Sequence, residues 1–202
     1  MFTAAMHGFT LALGLILPLG VQNIFIFNQG AVQPRFSKAI PAILTAALCD
    51  TLLIVLAVVG ISVIVLSSTW ISSVLLLLGI VFLIYMGIAT WKSNPSDGSD
   101  NNVTISWKKQ ITFAASVSLL NPHAIMDTIG VIGTSSLTYS GTNKIAFTIS
   151  CIAVSWLWFA GLAAAGRFTG LLDRGGRVLV VLNKLSAVIM FATAVYLTLR
   201  LF

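Results

Sequence analysis

Apolar positions run along this chain in long blocks, separated by short polar connections. A helix needs about 20 such residues to cross a bilayer. Six blocks qualify: Thr3–Phe27, Ala39–Leu66, Ile71–Thr90, Ile111–Leu137, Ile145–Ala165 and Val178–Leu201. Blocks this apolar predict membrane-spanning helices rather than amphipathic ones. The first, second and fourth exceed the minimum, which predicts tilt, a kink or extension past the lipid. Only one connection is long. Residues 92–107, with Asn94-Pro95-Ser96-Asp97-Gly98 at their centre, are polar and turn-rich and predict a solvated linker with no site of its own. The linker divides one transmembrane domain, 1–202, into halves 1–91 and 108–202 of three helices each.

Two blocks carry helix breakers at matching places. Leu17-Pro18-Leu19-Gly20-Val21-Gln22-Asn23 interrupts the first helix of the first half, and Asn121-Pro122-His123 the first helix of the second. Proline removes an N–H and disfavours helical geometry in the residue before it. Halves of three helices each must be inverted relative to one another. Paired interruptions in two such halves point to a transporter site at the membrane midplane. The expected fold is therefore an all-α integral membrane protein, with six transmembrane helices as two inverted three-helix repeats. The first helix of each half is broken, at Pro18 and Gly20 and at Pro122.

Composition excludes a soluble domain. The chain is 58% hydrophobic and 8% charged, with a mean hydropathy of +1.03, against about 25% charged residues in soluble proteins. The net charge of +6 reads as topology. Arg35 and Lys38 fall in the first connection, Lys92, Lys108 and Lys109 in the third, and Arg167, Arg174 and Arg177 in the fifth. Only Lys144 and Arg200 mark the other side. The positive-inside rule then places loops 30–38, 92–110 and 167–177 in the cytoplasm and both termini outside, in a multi-pass protein of a bacterial cytoplasmic membrane. No basic run is interleaved with aromatics, so no nucleic-acid partner is expected. Cys49 and Cys151 lie inside apolar blocks and suggest no disulfide framework. No GxxxxGK[ST] loop is present, so the chain is not expected to hydrolyse ATP. No cofactor or metal is called for.

Three ionisable residues fall within the blocks: Asp50, Asp127 and Lys184. A charge at the bilayer centre costs about 3 kcal/mol on insertion scales. Two aspartates at similar depth therefore suggest use, as a cation site, a proton carrier or both. Lys184 lies nearer the surface, where snorkelling or pairing with an aspartate is the expected role. His123, Asp127, Gly130 and Thr134 share one helical stripe if helix resumes after the break. Trp156, Trp158 and Phe159 are expected to face lipid or a second copy of the chain, giving a homodimer.

At these motifs the chain resembles the LysE superfamily of bacterial amino-acid exporters, over its whole length. The stretch from Gly14 to Ala31, GLILPLGVQNIFIFNQGA, is similar to the family's proline and Gln-Asn opening, with the break shifted. ALCDTLLI carries Asp50. NPHAIMDTIGVIG resembles the Asn-Pro-His…Asp-Thr signature of the lysine and arginine exporters. VLNKLSAVIM resembles a weaker pattern, with Ala187 where glycine is common. The resemblance implies a secondary active exporter of basic L-amino acids, L-lysine or L-arginine, and not an enzyme. It implies roles for Asp50 and Asp127 in transport. Gln22, Asn23, Asn121 and His123 are expected beside them in the substrate site. Coupling to proton influx through Asp50 or Asp127 is expected, because exporting a cation against an inside-negative potential costs about 2.3 kcal/mol per 100 mV. The alternatives are export of neutral amino acids of the threonine or homoserine type, and heavy-metal efflux.

Overall fold

The structure is a computed structural model and describes residues 1–17, 20–60, 69–92, 106–120, 125, 128–172 and 177–201. Among the described residues all regular structure is helical. In a lipid core each backbone polar group must find a partner within its own segment, and a helix does this. The order is α1 (Phe2–Ile16), α2 (Val21–Val32), a 3₁₀ turn (Phe36–Lys38), α3 (Ile40–Val59), α4 (Thr69–Lys92) and α5 (Trp107–Leu119). A π-helical stretch (Thr128–Gly133) then runs into one α turn (Thr134–Ser136), followed by α6 (Gly141–Leu172) and α7 (Arg177–Leu201).

Each apolar block holds a helix or a broken pair of helices, with boundaries that differ from those expected. α3 stops at Val59 because Gly60 turns left-handed, at φ 89°, a conformation glycine adopts without strain. Residues 61–68 of that block lie outside the described residues. α6 is 32 residues long, about 48 Å at 1.5 Å per residue. Arg167 therefore belongs to a helix and not to a loop, and residues 30–32 and 107–110 are helical too. Charge marks where lipid ends, not where hydrogen bonding along a helix ends. Among the described residues two helices, Ile40–Val59 and Gly141–Leu171, are each long and apolar enough to cross a membrane. The pair α1–α2, bent by 82°, makes a third if taken as one span.

α6 is the spine. α1 lies along its first half and α2 along its second, and α3 packs on it as well. Glycines make the approach close. A Cβ added at Gly8 would meet the Phe147 carbonyl, at Gly30 that of Ala163, at Gly166 that of Phe27 and at Gly170 that of Ala31. Small residues at such crossings are how membrane helices pack without a hydrophobic driving force. α3 also packs on α5 and on the π stretch, while α4 pairs with α7. That pair joins the rest through a core in which Ile80, Leu83 and Met190 meet Val21 and Val117.

Two other apolar cores divide α3 between them. One takes Ala42, Ile43, Ala46 and Ala47 with Phe25, Ile26 and Phe159. The other takes Ile54 and Val58 with Ala4, Phe147, Cys151 and Val154. The gap between these cores on α3 contains Asp50.

Candidate functional site

Asp50 sits midway along α3, about 15 Å from its start. The 3₁₀ turn takes up the residues before α3, so the carboxylate is nearer the basic loops than a straight helix from Arg35 would place it. Gln22 Nε2 donates to Asp50 Oδ1 at 3.2 Å. Ser155 on α6 provides a second side-chain hydrogen bond to the same carboxyl group. Gln22 and Ser155 are both buried, and Asp50 is only partly so. The acid's partners among the described residues are thus a neutral amide and a hydroxyl. Both hold the carboxylate in place and neither neutralises it.

The break between α1 and α2 explains why Gln22 is there. α2 begins at Val21, with extended Gly20 as its N-cap and no side chain capping it. Its first turn holds Gln22 and Asn23, and its positive dipole end lies at the level of Asp50. Breaking a helix also leaves orphaned carbonyls at the end of α1. Asn23 serves one of them: its Nδ2 donates to the Ile16 carbonyl at 2.7 Å. Trp158 Nε1 on α6 donates to Asn23 Oδ1 at 3.3 Å. Asn23 therefore clasps α1, α2 and α6 together at the break. Replacing it with alanine orphans the Ile16 carbonyl and should cost about 1–3 kcal/mol. Trp158→Phe removes one neutral hydrogen bond and should cost about 1 kcal/mol. Melting of the purified protein in detergent checks this, and a larger loss for Trp158→Phe would contradict the clasp.

The tryptophan cluster does not form one surface. Phe159 is a core residue at 1% exposure, Trp158 reaches the break, and exposed Trp156 donates to Thr51 Oγ1 at 3.1 Å. Ser155, Thr51 and Trp158 do not stand out as site residues in the sequence. A hydroxyl in an apolar block is a weak signal, although the cost of facing it to lipid argues that it turns inward.

The second break lies mostly outside the described residues, including Asn121, Pro122, His123 and Asp127, as does Pro18 at the first. The helix resumes within them: residues Thr128–Gly133, directly after Asp127 in the chain, are π-helical and not α-helical. The stripe expected through Gly130 and Thr134 thus changes pitch at this point. Single π turns cost hydrogen-bond geometry and recur at functional sites. The stretch packs on α3, with Gly133 against Ala57. Lys184 is exposed, with its Nζ 5.3 Å from the centre of the Trp91 ring on α4.

Arg167 joins the two ends of the chain's basic side. Its Nη1 and Nη2 donate to the carbonyls of Gln33 and Pro34, at 2.8 and 3.0 Å. A guanidinium there favours the negative end of α2. The first connection and the far end of α6 thus lie together.

The profile of the LysE type translocator family matches residues 13–200. The chain belongs to this family. It is a transporter and not an enzyme, and its apolar helices are those of an integral membrane protein. It is 55% identical over 199 residues to the "Putative amino-acid transporter YisU" of Bacillus subtilis, covering 98% of this chain and 90% of that protein. It is 32% identical over 199 residues to the arginine exporter protein ArgO of Klebsiella pneumoniae, covering 96% and 92%. The ArgO of Salmonella enteritidis is 31% identical over 197 residues, covering 93% and 90%. No solved structure matches.

Proposed function

We propose that this LysE-family amino-acid transporter exports basic L-amino acids, arginine foremost, across the bacterial cytoplasmic membrane in exchange for protons. The observation that carries this reading is Asp50: one carboxylate midway along a spanning helix, held by Gln22 and Ser155, with no cation among its partners in the described residues. Such a group is a receptor for a guanidinium or ammonium head, or for a proton. The relatives named as arginine exporters support the choice of substrate. Asn121, His123 and Asp127 complete the site from the second break, and Asp127 shares the proton. Asn23 holds the break open, while the uncapped first turn of α2 receives the substrate's carboxylate.

Packing supports two inverted repeats. The first segment of the first half (α1, α2) packs on the second helix of the other half, α6. The first segment of the second half (α5, π stretch) packs on α3. Third helices pair with each other, as do second helices. Exchanging the halves leaves these pairings unchanged. Alternating access would then move one half against the other around Asp50, with the basic loops inside.

Cells expressing the protein and preloaded with labelled arginine, lysine and threonine test the reading. Arginine or lysine should leave several-fold faster than from control cells, with external acidification speeding efflux. Efflux of threonine alone would overturn the basic-substrate reading, and efflux indifferent to the proton gradient would overturn the coupling.

A further inference from the structure

We propose that His7 and Tyr139 form the latch of an outer gate, on the side of the protein opposite the basic loops. The inference rests on the exporter reading in one respect: a site closed on both sides needs an exit.

His7 Nδ1 and the Tyr139 hydroxyl lie 2.9 Å apart, joining the second turn of α1 to the connection before α6 across 132 residues of sequence. Phe147, fully buried on α6, packs its ring 5.5 Å from that of His7. Tyr139 stacks on the same ring at 5.4 Å. Behind this trio lies the apolar core containing Ala4, Phe147, Cys151 and Val154. From Phe147 to Ser155, the partner of Asp50, is about 12 Å along α6. The trio and its core therefore lie toward that end of α6, beyond Asp50.

The rest of the α1 contact is built differently. Gly8 lets α1 touch the Phe147 backbone, Ser150 Oγ donates to the Ala5 carbonyl at 2.7 Å, and Cys151 Sγ lies 3.4 Å from the Gly8 carbonyl. These contacts tie helix to helix. Among the described residues the His7–Tyr139 bond ties α1 to a connection instead, which is the part that must swing if α1 parts from α6 at its outer end.

Cys151 is a built-in reporter. It is fully buried directly behind the trio, and thiol reagents reach it only when the gate opens. In a Cys49→Ala background, intact cells are treated with a membrane-impermeant maleimide and labelling of Cys151 is timed. Tyr139→Phe keeps the ring packing and loses the hydrogen bond. It should speed labelling about fivefold, the worth of one such bond. His7→Leu should do the same, and the double variant no more than either. Thr148→Ala, which loses a hydrogen bond inside α6 and none across the gate, should leave the rate unchanged. Unchanged labelling in Tyr139→Phe overturns the latch. So does equal acceleration by Thr148→Ala, and so does labelling seen only in inverted vesicles. The readout needs no transport. A chain that exports no arginine but labels fivefold faster would remove the substrate reading and leave the latch in place.

Discussion

Asp50→Asn is expected to lower arginine efflux about a hundredfold while leaving the amount of protein in the membrane unchanged. Asparagine keeps an oxygen where Gln22 Nε2 now donates at 3.2 Å, so the shape of the site survives. What disappears is the charge. Removing one member of a desolvated, hydrogen-bonded charge pair costs roughly 2–5 kcal/mol, and each 1.4 kcal/mol is a factor of ten. Among the described residues, a cationic side chain entering the gap between the two apolar cores would then meet only neutral groups. Gln22→Leu should have a smaller effect, about tenfold, because the carboxylate stays and loses one donor. Efflux rates normalised to membrane levels decide it. An Asp50→Asn protein that exports arginine within a few-fold of the parent would shift the whole burden to Asp127.

Gly166→Leu should have the largest effect on assembly. A Cβ at this position would overlap the Phe27 carbonyl and lie 3.2 Å from the Ala31 nitrogen. These atoms are backbone, which cannot rotate away, so α2 must lift off α6. Overpacking costs about 1–3 kcal/mol even where side chains can adjust, and more where they cannot. Lifting α2 would also pull Gln33 away from Arg167 and Asn23 away from Trp158. Little Gly166→Leu protein should be recovered from membranes in folded form. Gly161→Leu, five residues earlier on the same helix, is the comparison: a Cβ there meets nothing within 4 Å. Gel filtration in detergent should show the second variant as the parent and the first as aggregate. Equal behaviour of the two would mean that the crossing tolerates more separation than its geometry suggests.

The apolar blocks and the first break are legible in the sequence because each has a strong local cause. A lipid-length run of apolar residues has few other uses, and Pro18 with Gly20 cannot sit in an unbroken helix. Asp50 stands out because a carboxylate in such a run is costly. The features that stay hidden depend on tertiary contact. Nothing in the sequence distinguishes Ser155 from other serines in apolar blocks until α6 is laid against α3. Asn23 is expected in the substrate site because an amide beside a break suits that role, and that it also clasps the break shows only in the positions of Ile16 and Trp158. The π pitch at Thr128–Gly133 has no composition of its own. Arg167 reads as a loop residue when charge is taken to mark a helix end, a limit that long helices emerging from lipid do not respect.

The place of α6 in the chain has a consequence for biogenesis. α2 carries Gln22, Asn23, Asn28 and Gln29, several of them buried in the finished protein, and its main support is α6. Ribosomes make roughly 5–20 residues per second, so α6 emerges on the order of ten seconds after α2. During that interval the amides of α2 have no α6 to face. Lipid is a poor host for them, so the insertion machinery must shelter the first segment until the spine arrives. Chains that stall before Gly141 should therefore be cleared by membrane proteases, whereas chains that stall after Leu172 already hold both pieces of the broken helix.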